Sequence, residues 1–519
     1  MKRYISARQT AIVCLASALA FTSFLSSCIS DDTTDATRPL SEIIIDSTSI
    51  SKVYNISKND VLRISPVISQ TNTPKEVSYT WEINQEPFSF GKDLEYPAKY
   101  LGTYQCRLIV SNSDGKSFFP FTVNVNSPYE EGIAVLSQDA DGRSMISFML
   151  TPTEEGAERH FTTDDCFAVN NEDTPFASHA IDMVQSSGSL IIACQGADGW
   201  QTASDKGRGS DVPTIYYLNE KTLVAENILT VSEYDDFKPT RLIIPSVGAE
   251  GVAYPILCEN GSIYEFSTTE GAISKPTKLQ SKYAQTCTVH DDGGMGWEFE
   301  LVFWDRTVGC LCEIYSGYGP YYCGKTYHLQ RDDAVKENYF GGNDIVKIIP
   351  IDLTDSQKRT ESSDLLVLTK NAFMTRKVIV DSGFWVHDYE NGVNVLADNG
   401  GFSVACVGTD IITENTPCVA NKTYYSLLFG KGNSLMRWNY TTQQTLDKAS
   451  VLQTFGTDKA VITDLVISRD HKTTYVAFYE PGQTGLNGSV YVIDTDTGEI
   501  LERHDNVCYR PVRMIYKKK

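Results

Sequence analysis

The segment GSIYEFSTTEGAI at Gly261–Ile273 returns almost unchanged as GSVYVIDTDTGEI at Gly488–Ile500. The two copies lie 227 residues apart and share the frame G-S-(I/V)-Y-x-(F/I)-x-T-x-x-G-x-I. Their surroundings repeat as well. Residues 239–244 and 253–258 precede the first copy; residues 462–467 and 474–479 precede the second. Each region reads as four short apolar or alternating strands joined by polar turns. The quoted frame supplies the third strand, its Thr-x-x-Gly turn and the start of the fourth. A four-stranded unit of about 40–50 residues that recurs along a chain is the pattern of a β-propeller blade.

Other strand-like runs fill the interval: Thr214–Asn219, Leu301–Trp304 with Cys310–Ile314, Ile345–Ile349, Leu365–Leu368 and Ser434–Asn439. The offset then divides into four blades of about 57 residues, which predicts seven in all. The C-terminus says how the ring is closed. Phe237-Lys238-Pro239-Thr240-Arg241-Leu242-Ile243 opens one blade, and Tyr509-Arg510-Pro511-Val512-Arg513-Met514-Ile515 ends the chain in the same pattern. An inner strand therefore follows the last complete blade. Its expected partner is a hairpin near residue 133, formed by Ile133–Ser137 and Ser144–Leu150 around the turn Asp139-Ala140-Asp141-Gly142. Strands from both ends of the propeller region would then share one blade and hide its open edges.

Residues 41–127 read as a separate all-β unit. Ile43–Ile45, Val61–Ile64 and Val77–Ile83 have strand length. In Gly102–Asn112 the alternation puts Tyr104, Cys106, Leu108 and Val110 on one face, as a sandwich strand requires. Ser113-Asp114-Gly115-Lys116 is a hairpin turn leading into Phe119–Val125. Trp81 is expected in the core. The fold class predicted is thus all-β, a small sandwich followed by a propeller over residues 128–519.

The N-terminal segment is read as a targeting signal. Lys2, Arg3 and Arg8 precede an apolar run, Ala11–Leu25, that is short for a membrane span. It ends in Leu25-Ser26-Ser27-Cys28, which resembles a bacterial lipobox with Cys28 as the lipidated residue. On that reading residues 1–27 are signal, and 28–40 are the lipidated cysteine and a polar tether. Removing the three basic signal residues from the chain's 45 leaves 42 against 66 acidic residues, a formal charge of −24. Such a balance disfavours nucleic acid.

Of the 13 cysteines, Cys310, Cys312 and Cys323 form the only cluster. A hairpin-crossing disulfide and a zinc site with His328 are both open readings, although the spacing fits no zinc template well. No G-x-S-x-G, H-E-x-x-H or phosphate-binding loop occurs, so no catalytic residue and no cofactor are predicted. His290-Asp291-Asp292-Gly293-Gly294 reads as an inter-strand loop. The aromatic residues are the candidate ligand contacts: Trp200, Trp297, Trp304, Trp385 and the Gly/Pro-punctuated run holding Tyr315, Tyr318, Tyr321 and Tyr322. Rings at the ends of a propeller can stack on sugars or clamp peptide side chains, while core packing is the competing role.

The lipobox, the acidic residues Asp31, Asp32 and Asp35 behind it, the Tyr79-Thr80-Trp81-Glu82 and Gly102-Thr103-Tyr104 segments, and the propeller together resemble the PKD-like surface lipoproteins of Bacteroidetes. The resemblance lies in domain order over essentially the whole chain; a partner cysteine for an Ig-type disulfide is missing, since Cys106 is alone in its unit. It implies an outer-membrane protein, lipid-anchored and facing the exterior. Such a protein would be an accessory of a SusC/SusD-type transporter pair and would bind a glycan or peptide. A protein-docking scaffold and a propeller hydrolase or lyase are the alternatives.

Overall fold

In the computed structural model the described residues are 39–518 apart from 152–158, 163, 187, 199–210, 244–252, 268–270, 276–281, 290–299, 308–309, 316–324, 332–344, 353–361, 370–371, 380–386, 389–392, 397–402, 406–410, 422, 444 and 469. They are almost entirely β, and the chain divides into two compact units, residues 1–126 and 127–519.

The first unit holds nine strands: β1 (Ile43–Ile45), β2 (Val53–Ser57), β3 (Val61–Ile64), β4 (Ile68–Gln70), β5 (Ser78–Ile83), β6 (Glu86–Ser89), β7 (Leu94–Pro97), β8 (Gly102–Ser111) and β9 (Lys116–Asn126). A five-stranded sheet has the order β2-β9-β8-β5-β6, and two further pairs, β1-β4 and β3-β7, stand apart from it. The alternation of β8 is realised: Cys106, Leu108 and Val110 are buried between the exposed Gln105 and Arg107 and the half-buried Ile109 and Ser111, with Tyr104 half-buried. These side chains share one core with Leu62, Ile64, Leu94 and Trp81. Trp81 is fully buried, and its indole N–H donates to the Gly91 carbonyl at 3.0 Å, so the ring fills the core without stranding its donor. The parallel pairing of β2 with β9 was not foreseen from sequence.

The second unit is propeller-like, a succession of antiparallel sets. It begins with the hairpin β10 (Gly132–Gln138) and β11 (Ser144–Leu150), followed by a short helix, α1 (Cys166–Asn170), that the sequence reading missed. Asp165 caps α1 by accepting the Phe167 N–H. Then come β12 (Ala180–Ser186), β13 (Ser189–Cys194), β14 (Thr214–Asn219) and β15 (Ala225–Thr230) as one four-stranded sheet, and β16 (Pro239–Leu242), β17 (Ala253–Cys258), β18 (Ile263–Ser267) and β19 (Ala272–Ser274) as the next. β20 (Tyr283–Val289), β21 (Glu300–Asp305), β22 (Cys310–Tyr315) and β23 (Lys325–Arg331) pair in series. So do β24 (Ile345–Asp352), β25 (Ser362–Thr369) and β26 (Ala372–Ile379), with β27 (His387–Asp388) and β28 (Val393–Leu396) joining β23 and β29 (Ser403–Ala405) joining β26. β30 (Cys418–Asn421), β31 (Ser426–Lys431), β32 (Ser434–Asn439) and β33 (Ser450–Thr454) follow. β34 (Val461–Ile467), β35 (Thr473–Tyr479), β36 (Gly488–Asp494) and β37 (Ile500–Cys508) make another four-stranded sheet.

The terminal strand β38 (Arg510–Lys517) pairs antiparallel with β10, placing Val135 opposite Met514 and Ile133 opposite Tyr516. The hairpin named from sequence is thus joined by the strand named from sequence, 366 residues further on, where Arg143 lies over the Tyr509 ring at 5.1 Å. The Asp139–Gly142 segment is a hairpin turn: the Asp139 carboxylate accepts the Asp141 and Arg143 N–H groups. Both copies of the repeated frame occupy the expected place, third strand and start of the fourth.

Candidate functional site

The first strand of each set lies innermost, and these strands follow one another. β34 lies beside β38, β38 beside β12, β12 beside β16, and β20 beside β24; β24 pairs parallel with β30, which lies beside β34. β20 meets the β16 set where the Tyr283 N–H donates to the Gly261 carbonyl.

Six of these strands carry a register shift at one and the same place. One extra residue, a β-bulge, is inserted at Ile181, Thr240, Gln285, Val346, Thr463 and Val512. The bulge re-aims the residue that follows. In five of the six strands that residue is ionisable: Asp182, Arg241, Lys347, Asp464 and Arg513.

What the charged groups touch explains the choice. Asp464 accepts the Met514 N–H of β38 at 2.6 Å, and Asp182 accepts the Leu242 N–H of β16 at 2.8 Å. Each carboxylate thus staples its own inner strand to the next. Lys347 does the same with opposite polarity, donating to the Glu414 and Thr416 carbonyls just before β30 at 2.7 and 2.6 Å. Arg513 sits between the two carboxylates. Its Nε lies 3.2 Å from Asp182 Oδ1 and is itself buried, while the side chain as a whole keeps 32% of its exposure.

The titration behaviour follows from burial and sign. Burial drives the Asp464 carboxyl above its ordinary value, opposed by the Arg513 charge. Burial works against the Arg513 charge too, but Asp182 and Asp464 outweigh it and hold the guanidinium above its ordinary value. Burial depresses Lys347; Cys418 opposes that, and the like charge of Arg241 adds to it.

Sequence reasoning named the Pro-x-Arg-(Leu/Met)-Ile pattern of β16 and β38 but not this cluster. The signal available was a lone charge just before a Leu/Met-Val/Ile pair, repeated at Asp182-Met183-Val184 and Asp464-Leu465-Val466. The aromatic candidates fall elsewhere. Trp304 is on β21 and only 3% exposed, a core position and not an open ring. Tyr315 ends β22. Trp200, Trp297, Tyr318, Tyr321, Tyr322 and Trp385 lie outside the described residues, as do Cys28, Cys323 and the His290–Gly294 loop. Cys312 is the register partner of His328. Among the described residues no three His, Cys, Asp or Glu side chains are gathered as a metal site, and no helix is long and apolar enough to cross a membrane.

No protein-family model matches the chain, and no curated protein matches it. Solved structures with a related course of chain include a quinonprotein alcohol dehydrogenase-like protein from Bacteroides thetaiotaomicron, 14% identical, covering 92% of this chain and 99% of that one with a TM-score of 0.43. AztD from Citrobacter koseri is 10% identical over 86% of this chain and 100% of its own, with a TM-score of 0.36. The Dos1 propeller is 10% identical over 74% and 86%, with a TM-score of 0.37. Likeness this remote brings no activity, ligand or partner to the chain.

Proposed function

We propose that the chain is a surface-anchored binding protein. In this reading an Ig-like, PKD-like unit carries a seven-bladed propeller that captures a glycan or peptide for a SusC/SusD-type transporter, with Cys28 as the lipid anchor. The count of seven is supported by the inner strands β12, β16, β20, β24, β30, β34 and β38, each leading its own antiparallel set. The Ig-like reading is supported by the buried Trp81 and by a core common to the five-stranded sheet and the two smaller pairs.

The observation that carries a binding role over a catalytic one is the engagement of the inner carboxylates. Asp182 and Asp464 spend their oxygens on backbone N–H groups and on Arg513, which fixes a framework and leaves them poorly placed as acid–base groups. A rigid propeller tied by its own terminus is suited to hold a ligand at one end.

The test is to recover the tagged, full-length chain from gently solubilised outer membranes and identify what accompanies it. A SusC/SusD-like pair in near-equal amount is the expected result. Recovery of the chain alone, or from another fraction, overturns the uptake role.

A further inference from the structure

Strand alternation in the first unit turns Cys106, Leu108 and Val110 of β8, Phe121 and Val123 of β9 and Trp81 of β5 to the core, to which the pairs β1-β4 and β3-β7 also contribute. The opposite face of the five-stranded sheet carries Thr103 and Arg107 of β8, Phe118 and Asn124 of β9, Glu82 of β5 and Asn55 of β2. Phe118 is 52% exposed there. We propose that this face is a binding platform for an extended chain of uncharged sugars. The Phe118 ring is its stacking surface, and the row Asn55–Asn124–Thr103 is the end that reads hydroxyls.

The polar groups of the face hold one another in place. Asn124 donates to Asn55 Oδ1 at 2.8 Å and accepts from Thr103 Oγ1 at 3.0 Å, so side chains of three neighbouring strands form one hydrogen-bonded row. Arg107 donates to Glu82 Oε2 through Nε at 2.9 Å and Nη2 at 2.6 Å, and its guanidinium lies 5.4 Å from the centre of the Phe118 ring. Groups fixed in this way before a ligand arrives lower the ordering cost of binding. Their chemistry suits a sugar: a ring offers an apolar plane to the C–H side of a pyranose, and a carboxamide offers donors and an acceptor to its hydroxyls. Arg107 and Glu82 neutralise each other at the centre of the face. Residues 41–126 as a whole hold nine acidic and eight basic residues in a chain of formal charge −21, so this unit is close to neutral and suits an uncharged ligand. An extended peptide fits less well, because peptides add at sheet edges and β5, β8 and β9 each have a strand on both sides. Phe118 and Asn124 stand six residues apart on one strand, roughly 20 Å, so the ligand that reaches both is a chain of several sugars.

The inference goes beyond the proposed function, which gives ligand capture to the propeller. It needs neither the transporter nor a propeller site, so co-purification and sugar binding can fail separately. The experiment is calorimetric titration of the full chain with cellohexaose, xylohexaose, mannohexaose and maltohexaose, followed by the disaccharide of whichever binds. The expected result is saturable binding of at least one hexasaccharide, about tenfold or more tighter than its disaccharide. Phe118→Ala should weaken that binding by about tenfold or more, and Asn124→Ala by about threefold or more, each at an unchanged melting temperature because both side chains lie outside the core. Phe90→Ala, which removes a 71% exposed ring between β6 and β7, should leave binding unchanged. Binding of none of the four hexasaccharides would overturn the proposal. So would binding undiminished by Phe118→Ala, which would move the sugar to another surface of the chain. Loss of a co-purifying protein from Phe118→Ala with sugar binding intact would make the face a protein interface and overturn it as well.

Discussion

Arg513 compensates carboxylates on the inner strands either side of its own; Asp182 also accepts an N–H from β16, and Asp464 accepts one from β38 itself. Replacing it by glutamine leaves Asp182 and Asp464 facing each other without a cation. Breaking a buried pair from one side costs roughly 3–5 kcal/mol, and partial exposure brings the expectation toward about 2–3 kcal/mol. The pH dependence has a definite sign. The folded state binds the Asp464 proton more tightly than the unfolded chain does, because its pKa is raised above 3.8. That contribution is complete below the ordinary value and is lost as pH rises through the folded one. Losing Arg513 raises it further, so the defect of Arg513→Gln should be smallest in acid and grow toward neutral pH. Urea midpoints across a pH series check this; a pH-independent defect would count against the charge argument. Part of this cluster was legible. Arg241 and Arg513 stand at one offset of a shared pattern, but Asp182 and Asp464 carry the opposite sign, and pattern matching by residue type passes over them.

Gly261 and Gly488 explain why the repeated frame opens on glycine. A Cβ on Gly488 would lie 2.0 Å from the Tyr509 carbonyl oxygen, and one on Gly261 would lie 2.8 Å from that of Tyr283. Both tyrosines stand at the start of the next inner strand, so in each copy the third strand passes against the backbone of the neighbouring set. Gly488→Ala should therefore destabilise the second unit by about 1–3 kcal/mol through forced backbone movement. Gly115→Ala, where a Cβ meets nothing within 4 Å, should stay within about 0.5 kcal/mol. Denaturant midpoints of the two variants test the contrast, and equal effects would show that close approach is not what selects glycine at residue 488. At this scale the sequence was most readable. Strand alternation and turn residues act over a few positions, so the four strands of the two repeated sets could be placed from local pattern alone. The bulges could not, because an inserted residue leaves no compositional mark; it is defined only by the strand opposite. The parallel β2–β9 pair has the same difficulty, since its register joins residues about 69 apart that no turn connects.

The closure of the second unit depends on contacts that only the two ends of its chain can make. Along β38, Tyr516 donates to the Glu131 carboxylate and Lys517 to the Glu130 carbonyl, each at 2.6 Å, and beyond it Lys518 and Gln185 exchange two bonds of 2.8 Å. Ser147 donates to the Val507 carbonyl at 2.7 Å, and Met514 joins Ile133, Val135 and Val490 in one core. Ending the chain at Tyr509 would remove the partner of β10, whose residues Gly132–Ser137 are all buried. It would also strip Asp464 of the Met514 N–H and both carboxylates of Arg513. An apolar strand left with one unpaired edge is a template for association. The truncated chain should therefore self-associate, seen as a larger species in size-exclusion chromatography with light scattering. Unfolding of its second unit should also move to lower denaturant, while the first unit, which has its own core, keeps its transition. The argument applies with particular force here because closure is non-local. Cohesion between adjacent sets can be relieved gradually, but one missing inner strand opens the whole ring at a single point. A truncated chain that stays monomeric, with the second-unit transition unmoved, would mean that contacts between successive sets hold the propeller without its terminal strand.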